Sequence, residues 1–573
     1  MEIPGGSMLR WVLFLVLASG LQVFAVKYDH SYTSECLPSP LRPQYGGGII
    51  KNPDFNEGLD SWGAFGHANI SKQESYGNYY VIASQRNHSH SSVKQTVQLD
   101  KDKYYVISAW IQVSEGPTLV AAVITNDDHD NAVGWVMAEA GCWSMLKGGV
   151  NVKDTASYEL YFPSNSTQVD IWVDSVSLQP FTKEEWEAHE VQNTEEIRKR
   201  VVRFQVVNKS GRPLSKANIS VKQLRQEFPF GNAISNLILT NQAYRDWFFP
   251  RFKYTVFENE MKWYETEHFP GQANYSVPDA MLDLVAQHGV KVRGHNVFWE
   301  ESERQPWWVK RLPLTDLPIA ADRRLRSVMR HYKGSVIHWD VLNENLHHSF
   351  FESRLGKDTP AVFYKTAREI DPETPLFLNE FNTLEQPEDA SSTPAMYLEK
   401  IKQIRREGYH GPLSIGLESH FSTPSLAYVR TSIDVLAASK LPVWITELDV
   451  SKRPNQELYL KQLLKELKSH PGVRGIIMWG SWKPNGTCYQ MCLTDDNFKN
   501  LKTGDVVDEV IREWRHDGLV GSTDSDGYFN VSLFHGDYEA NIGHKRMGNI
   551  SISKSFQVLP VDQNEAMEVR IFI

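Results

Sequence analysis

Between residues 228 and 514, short apolar runs without helical period alternate with segments whose apolar residues recur every three or four positions. Runs of β-branched and aromatic residues read as strands buried on both faces, and the periodic segments read as amphipathic helices packed over them. The runs fall at 230–234, 254–257, 290–295, 336–343, 375–379, 413–417, 443–446 and 473–479. Eight strand-and-helix repeats of this size predict a (β/α)8 barrel over 227–514. Upstream, over 46–180, short alternating runs such as 104–111 and 169–176, separated by polar turns, predict an all-β, jelly-roll-like sandwich. A charged stretch at 181–200 predicts a linker helix. The pieces beside the barrel, 201–226 and 515–573, each hold too few strands for a sandwich of their own, so one small sandwich split by the barrel is expected.

Two of the barrel runs end in carboxylates, at Glu344 and at Glu447. The carboxyl ends of barrel strands are where such folds collect their chemistry. A pair of carboxylates there matches the acid and nucleophile that glycoside cleavage requires. Either glutamate alone is more often a solvated strand end or an ion-pair partner.

Composition changes the picture modestly. A formal net charge of −10 gives no support to nucleic-acid binding. Seventeen Trp could stack on sugar rings, but most Trp in any protein are core, so count alone favours packing. Arg10 followed by the apolar stretch 11–18 and small residues near Ala25 predicts a secretory signal peptide over 1–25. The alternative, an uncleaved anchor, is disfavoured by the short stretch, and no other segment approaches spanning length. Asn-x-Ser/Thr acceptors begin at Asn69, Asn87, Asn165, Asn208, Asn218, Asn274, Asn485, Asn530 and Asn549. Nine of them behind a leader favour a glycosylated, secreted protein with no membrane contact after processing. Of four cysteines, Cys488 and Cys492 are spaced for a small loop disulfide, while pairing of Cys36 with Cys142 stays open. No His or further Cys stands at metal-ligand spacing from them.

In order along the barrel occur Glu258-Asn259-Glu260-Met261-Lys262-Trp263, Arg293-Gly294-His295 with Trp299, Trp339-Asp340-Val341-Leu342-Asn343-Glu344, His420, Thr446-Glu447-Leu448-Asp449 and Trp479. With these motifs the barrel resembles the family 10 glycoside hydrolases, the endo-xylanases. The tail from Trp479 and Trp482 through Cys492 to Asp495 resembles the land-plant branch of that family. The resemblance implies that Glu344 is the general acid/base and Glu447 the nucleophile. It implies that His420 and Asp449 support the nucleophile and that Asn343 binds the 2-hydroxyl of the reacting sugar. Glu258, Asn259, Lys262 and His295 match polar contacts on the glycone side, Trp299 and Trp479 match aromatic walls, and Glu418 and Trp482 complete the expected substrate contacts. No cofactor is implied for catalysis.

The stretch 46–180 resembles family 22 carbohydrate-binding modules, with Trp135 and Tyr161 as stacking candidates and Glu57 and Asp174 as candidates for a structural calcium. Three departures from the barrel family stand out: Glu418 replaces a usual Gln, Asn379-Glu380-Phe381-Asn382 replaces Asn-Asp-Tyr-Asn, and Glu300-Glu301-Ser302-Glu303-Arg304 follows Trp299 where a His is common. A third carboxylate at Glu418, if ionised, would push the acid's pKa up further. The resemblance as a whole implies a monomeric, secreted, retaining endo-β-1,4-xylanase whose partner is cell-wall xylan. Xylan transglycosylation is a neighbouring alternative. A catalytically silent xylan-binding wall protein is another, and the presence of Glu344, Glu447, Asn343 and His420 argues against it.

Overall fold

The computed structural model describes residues 26–126, 129–516, 518–545, 551–560 and 565–573. The expected signal peptide and Asn549 lie outside them. Eight parallel strands form the closed barrel: Phe230–Asn232, Tyr254–Val256, Lys291–Gly294, His338–Asn343, Leu376–Glu380, Ser414–Leu417, Val443–Val450 and Val473–Met478. The third pairs with the fourth through Arg293–His338, and the eighth closes on the first through Phe230–Ile476. All six residues of the fourth strand and all eight of the seventh are buried, as a sheet covered on both faces requires. Inside, Arg293 donates to Asp340 Oδ1 at 2.6 Å, and His295 Nδ1 meets Asp340 Oδ2 at 2.9 Å. The helices turn one apolar face inward; Leu317–His331 buries Leu317, Ala321, Leu325, Val328 and Met329.

Ten antiparallel strands between Gly63 and Thr182 form the N-terminal module around its own apolar core, which includes Ile107, Ile111, Leu160, Ile171 and Val173. Cys36 pairs with Cys142 on this module, and Cys488 with Cys492 on a barrel loop. The segments flanking the barrel complete each other. Lys199–Val207 lies between Tyr528–Phe534 and Met567–Phe572 in one sheet. Asn218–Gln226 lies between Leu519–Ser522 and Gly536–Gly543 in a second. The two sheets share a core of Val202, Phe204, Ile219, Val221, Tyr538, Ile542 and Ile571.

The helix at Lys183–Arg198 does more than connect. Thr182 and Glu185 form a capping box at its start. Trp186 is buried and donates to Glu466 Oε2 at 2.8 Å, the carboxylate that Arg430 also holds. The module is docked equally tightly. A Cβ on Gly149 would lie 2.4 Å from the Ala427 carbonyl oxygen, so only glycine permits this approach to the barrel helix Leu426–Ala437. Beside it Lys147, with no side-chain exposure, pairs with Asp434 at 2.8 Å. Asp434 also takes Tyr28, His30 and His470. Among the described residues no helix is long and apolar enough to cross a membrane.

Candidate active site

A cleft of about 700 Å³ opens at the carboxyl ends of the barrel strands. Glu258, Asn259, Lys262, His295, Trp299, Asn343, Glu344, Glu418, His420, Glu447 and Trp479 all line it. Glu344 follows the fourth strand directly, in the left-handed region with φ 59°. Its N–H donates to the Asn379 carbonyl at 2.8 Å, which ties this uncommon conformation to the fifth strand. Glu447 sits inside the seventh strand, where the pairing with the eighth slips between Ile445 and Leu448. That irregularity aims a carboxylate from a buried strand into the cleft.

Asn379 ties these groups together. Its amide nitrogen lies 2.9 Å from Asn343 Oδ1, 2.9 Å from Glu447 Oε1 and 3.2 Å from Glu418 Oε1. Its oxygen accepts from Thr446 at 2.6 Å, which fixes the flip of the amide. Asn343 in turn donates to Glu344 Oε1 at 3.3 Å. Behind the nucleophile position, His420 Nδ1 meets Asp449 Oδ1 at 2.9 Å while Nε2 faces Glu418 at 3.5 Å and Glu447 at 3.6 Å. Asp449 is wholly buried and reaches the site only through this imidazole.

Environment separates the two carboxyls. Burial pushes Glu344 up to about 8, helped by the negative charges of Glu380, Glu447 and Glu301. Burial would also raise Glu447, but the charge of His295, the hydrogen bond and charge of His420, and Lys262 hold it down at about 2. His420 itself is pushed well above the usual imidazole range: burial opposes its charge, and Asp449 with the two glutamates overcomes burial. Glu418 goes the other way. Burial and the charges of Glu447 and Glu344 push it well above the usual range, a shift toward the uncharged form.

The polar end of the cleft is strongly charged. Glu258 Oε2 pairs with Lys483 at 2.6 Å, and Tyr264 donates to Asn259 Oδ1 at 2.9 Å. The Lys262 ammonium lies 4.4 Å from the Trp299 ring and 5.6 Å from the Trp479 ring. On the other side, the variant motif forms a relay. Glu380 accepts from the Leu346 N–H and meets His347 Nδ1 at 2.7 Å, and His347 Nε2 reaches Asp389 at 2.8 Å.

Trp482, expected among the substrate contacts, does not line the cleft, and the four candidates on the N-terminal module have surroundings of their own. Trp482 is buried against Tyr244 and Phe498 and donates to Asp496, a packing role. Tyr161 is buried with its ring stacked 4.0 Å from Phe65. Trp135 turns its indole onto the barrel, donating to the Pro387 carbonyl at 2.7 Å. Glu57 is exposed, whereas Asp174 is buried and takes Asn78 and the Ser175 N–H. Conversely, Asn379, Lys483, Gln386 and His347 carry more of the site than their sequence context signalled. Asn379 alone had a usable signal, since it too ends a barrel strand. Among the described residues Glu418, His420 and Glu447 bring one ligand atom each within 4.8 Å of one another, close enough to hold a metal ion.

A closed (β/α)8 barrel with a neutral and an ionised carboxyl in one cleft defines a glycoside-cleaving class of site. Residues 220–509 match glycosyl hydrolase family 10, and residues 47–168 match a carbohydrate binding domain. Endo-1,4-beta-xylanase 5-like of Arabidopsis thaliana is 35% identical over 98% of this chain and 97% of its own length. Endo-1,4-beta-xylanase 4 of the same plant is 34% identical over 98% of each. The chain belongs to glycosyl hydrolase family 10. Among solved structures, xylanase 10B of Thermotoga petrophila RKU-1 in complex with xylobiose aligns over 50% of this chain and 94% of its own, with TM-score 0.45 and 20% identity.

Proposed function

We propose that the protein is a secreted, retaining endo-β-1,4-xylanase. The observation that carries this reading is the opposed state of the two carboxyls, Glu344 raised to about 8 and Glu447 lowered to about 2 in one cleft. At neutral pH the first holds a proton to give and the second holds a charge to attack with. Glu447 adds to the anomeric carbon as Glu344 protonates the leaving oxygen, forming a glycosyl-enzyme. Glu344 then takes a proton from water, which releases the sugar with its β configuration. The His420–Asp449 pair keeps Glu447 ionised and oriented, and Asn343 meets the 2-hydroxyl, a contact that strengthens in the transition state. Glu258, Asn259, Lys262 and His295 hold the glycone between the Trp299 and Trp479 rings.

The relatives' names supply the substrate, xylan. The steps call on no cofactor. Secretion rests on the leader pattern, and glycosylation on the acceptor asparagines, of which Asn69, Asn87, Asn165, Asn218, Asn274, Asn485 and Asn530 are exposed. In the module, burial raises Asp174 to about 7, with Asn78 and Ser175 opposing and Asp54 adding negative charge. A structural calcium at Glu57 and Asp174 is part of this reading; Glu57 is exposed, and Asp174 is buried and takes Asn78 and the Ser175 N–H. NMR of the first product from a xylo-oligosaccharide, read before mutarotation, tests the mechanism. A β anomer is expected, and an α anomer overturns the assignment of Glu447.

A further inference from the structure

Residues 381–393, between the fifth barrel strand and the helix Pro394–Arg406, form a loop pinned from several directions. At its root Phe381 stacks on His347 with ring centroids 3.9 Å apart. Asn382 and His347 both bind Asp389 Oδ2 at 2.8 Å, and Glu385 accepts from the His420 N–H at 2.9 Å. These anchors belong to the barrel. At the loop's centre, Pro387 is held from outside by the indole N–H of Trp135 at 2.7 Å. Proline has no N–H, so its carbonyl is the one backbone group through which it can be fixed. The residue before it, Gln386, is exposed and lines the cleft, as do Asn382 and Phe381.

This loop lies on the acid's side of the cleft. It springs from Glu380, whose negative charge raises Glu344 more than that of Glu447 or Glu301, and it covers His347, three residues past that acid. A general acid faces the leaving oxygen, so sugars beyond that oxygen run past Asn382 and Gln386. Trp135 is itself anchored. Its strand, His129–Ala138, pairs with Ser144–Val150, which carries Gly149 and Lys147 onto the barrel.

We propose that Trp135 is a positioning residue of the hydrolase: the N-terminal module, through this one hydrogen bond, sets the loop that receives the leaving-group sugars. The module thereby belongs to the specificity of the cleft, and Trp135 acts without touching sugar. This inference rests on the hydrolase reading. Turnover by the wild-type chain of both an aryl β-xylobioside and xylohexaose checks that reading first.

The test uses Trp135→Phe in the full chain, which keeps an aromatic ring in place and removes the N–H. The aryl substrate has no sugar on the leaving side, so its kcat and KM should stay within about twofold of wild type. Xylohexaose should show KM raised about fivefold at nearly unchanged kcat, with a shifted choice of bond cleaved. Gln386→Ala should reproduce this pattern, and the double variant should be no worse than Gln386→Ala alone. Unchanged xylohexaose kinetics overturn the proposal. So does an equal loss on both substrates, which marks a general structural role, or full additivity of the two substitutions.

Discussion

The N-terminal module and the barrel both offer aromatic rings and carboxylates to a reader of the sequence, yet they use them in opposite ways. In the module Tyr161 packs on Phe65, Trp135 reaches across to Pro387, and Asp174 is buried. In the barrel Trp299, Trp479, Glu344 and Glu447 converge on a single cleft. Residue type is the same in both regions. What differs is that the ends of eight parallel strands leave a shared void, whereas the module's sheet spends its rings on its own core and on the barrel. A stacking residue is therefore made by the space in front of it.

The comparison is broken most directly at the nucleophile. Glu447→Ala should lower kcat by about 10⁴-fold or more on every glycoside. Glu344→Ala should spare the first step on aryl xylobiosides with a good leaving group and stall afterwards, visible as a burst in stopped-flow absorbance. Next is Asn379→Ala, which removes one donor shared by Asn343, Glu447 and Glu418. We expect kcat to fall about 10²–10³-fold, the scale of one preorganised donor in a dry site, with KM changed far less.

Packing residues should instead report in stability. Trp482→Ala is expected to cost about 3–5 kcal/mol in chemical denaturation while the folded fraction keeps its KM, and Trp479→Ala should do the reverse. Lys147→Met would leave Asp434 without its ammonium partner. A loss of about 3 kcal/mol is expected, read as release of the module before the barrel melts in calorimetry.

The pH dependence is the gentlest test. Xylan hydrolysis should fall about tenfold per pH unit above about 8, as Glu344 loses its proton, and on the acid side only near 2, as Glu447 gains one. Stability moves with the same groups. Glu344 binds its proton more tightly folded than unfolded, so its contribution weakens as pH rises from the ordinary glutamate range toward 8. Glu447 stabilises above that range, and this is lost as pH falls toward 2. A denaturation series between pH 2 and 9 separates the two slopes.

Much of the barrel was legible before any coordinates, because strands buried on both faces must be nearly all apolar, and a polar residue at their carboxyl ends stands out against that run. Glu344, Asn343 and Glu447 were visible for this reason. The surrounding relay was not. His347, Gln386 and Lys483 sit in loops without period, and a loop residue's neighbour is chosen by where the chain returns. Trp482 and Trp479, three residues apart, look alike along the chain, and only the fold turns one into the core and the other toward the cleft. The sequence by itself determined the order of elements, the barrel class and the two strand-end carboxyls, since periodicity and strand-end chemistry are local properties. Tertiary structure alone decided that burial and two acidic neighbours raise Glu418, that Asn379 bridges three acceptors, and that the module's Trp135 faces the barrel. Protonation and pairing depend on burial and on charges from strands distant in sequence, which no local pattern encodes.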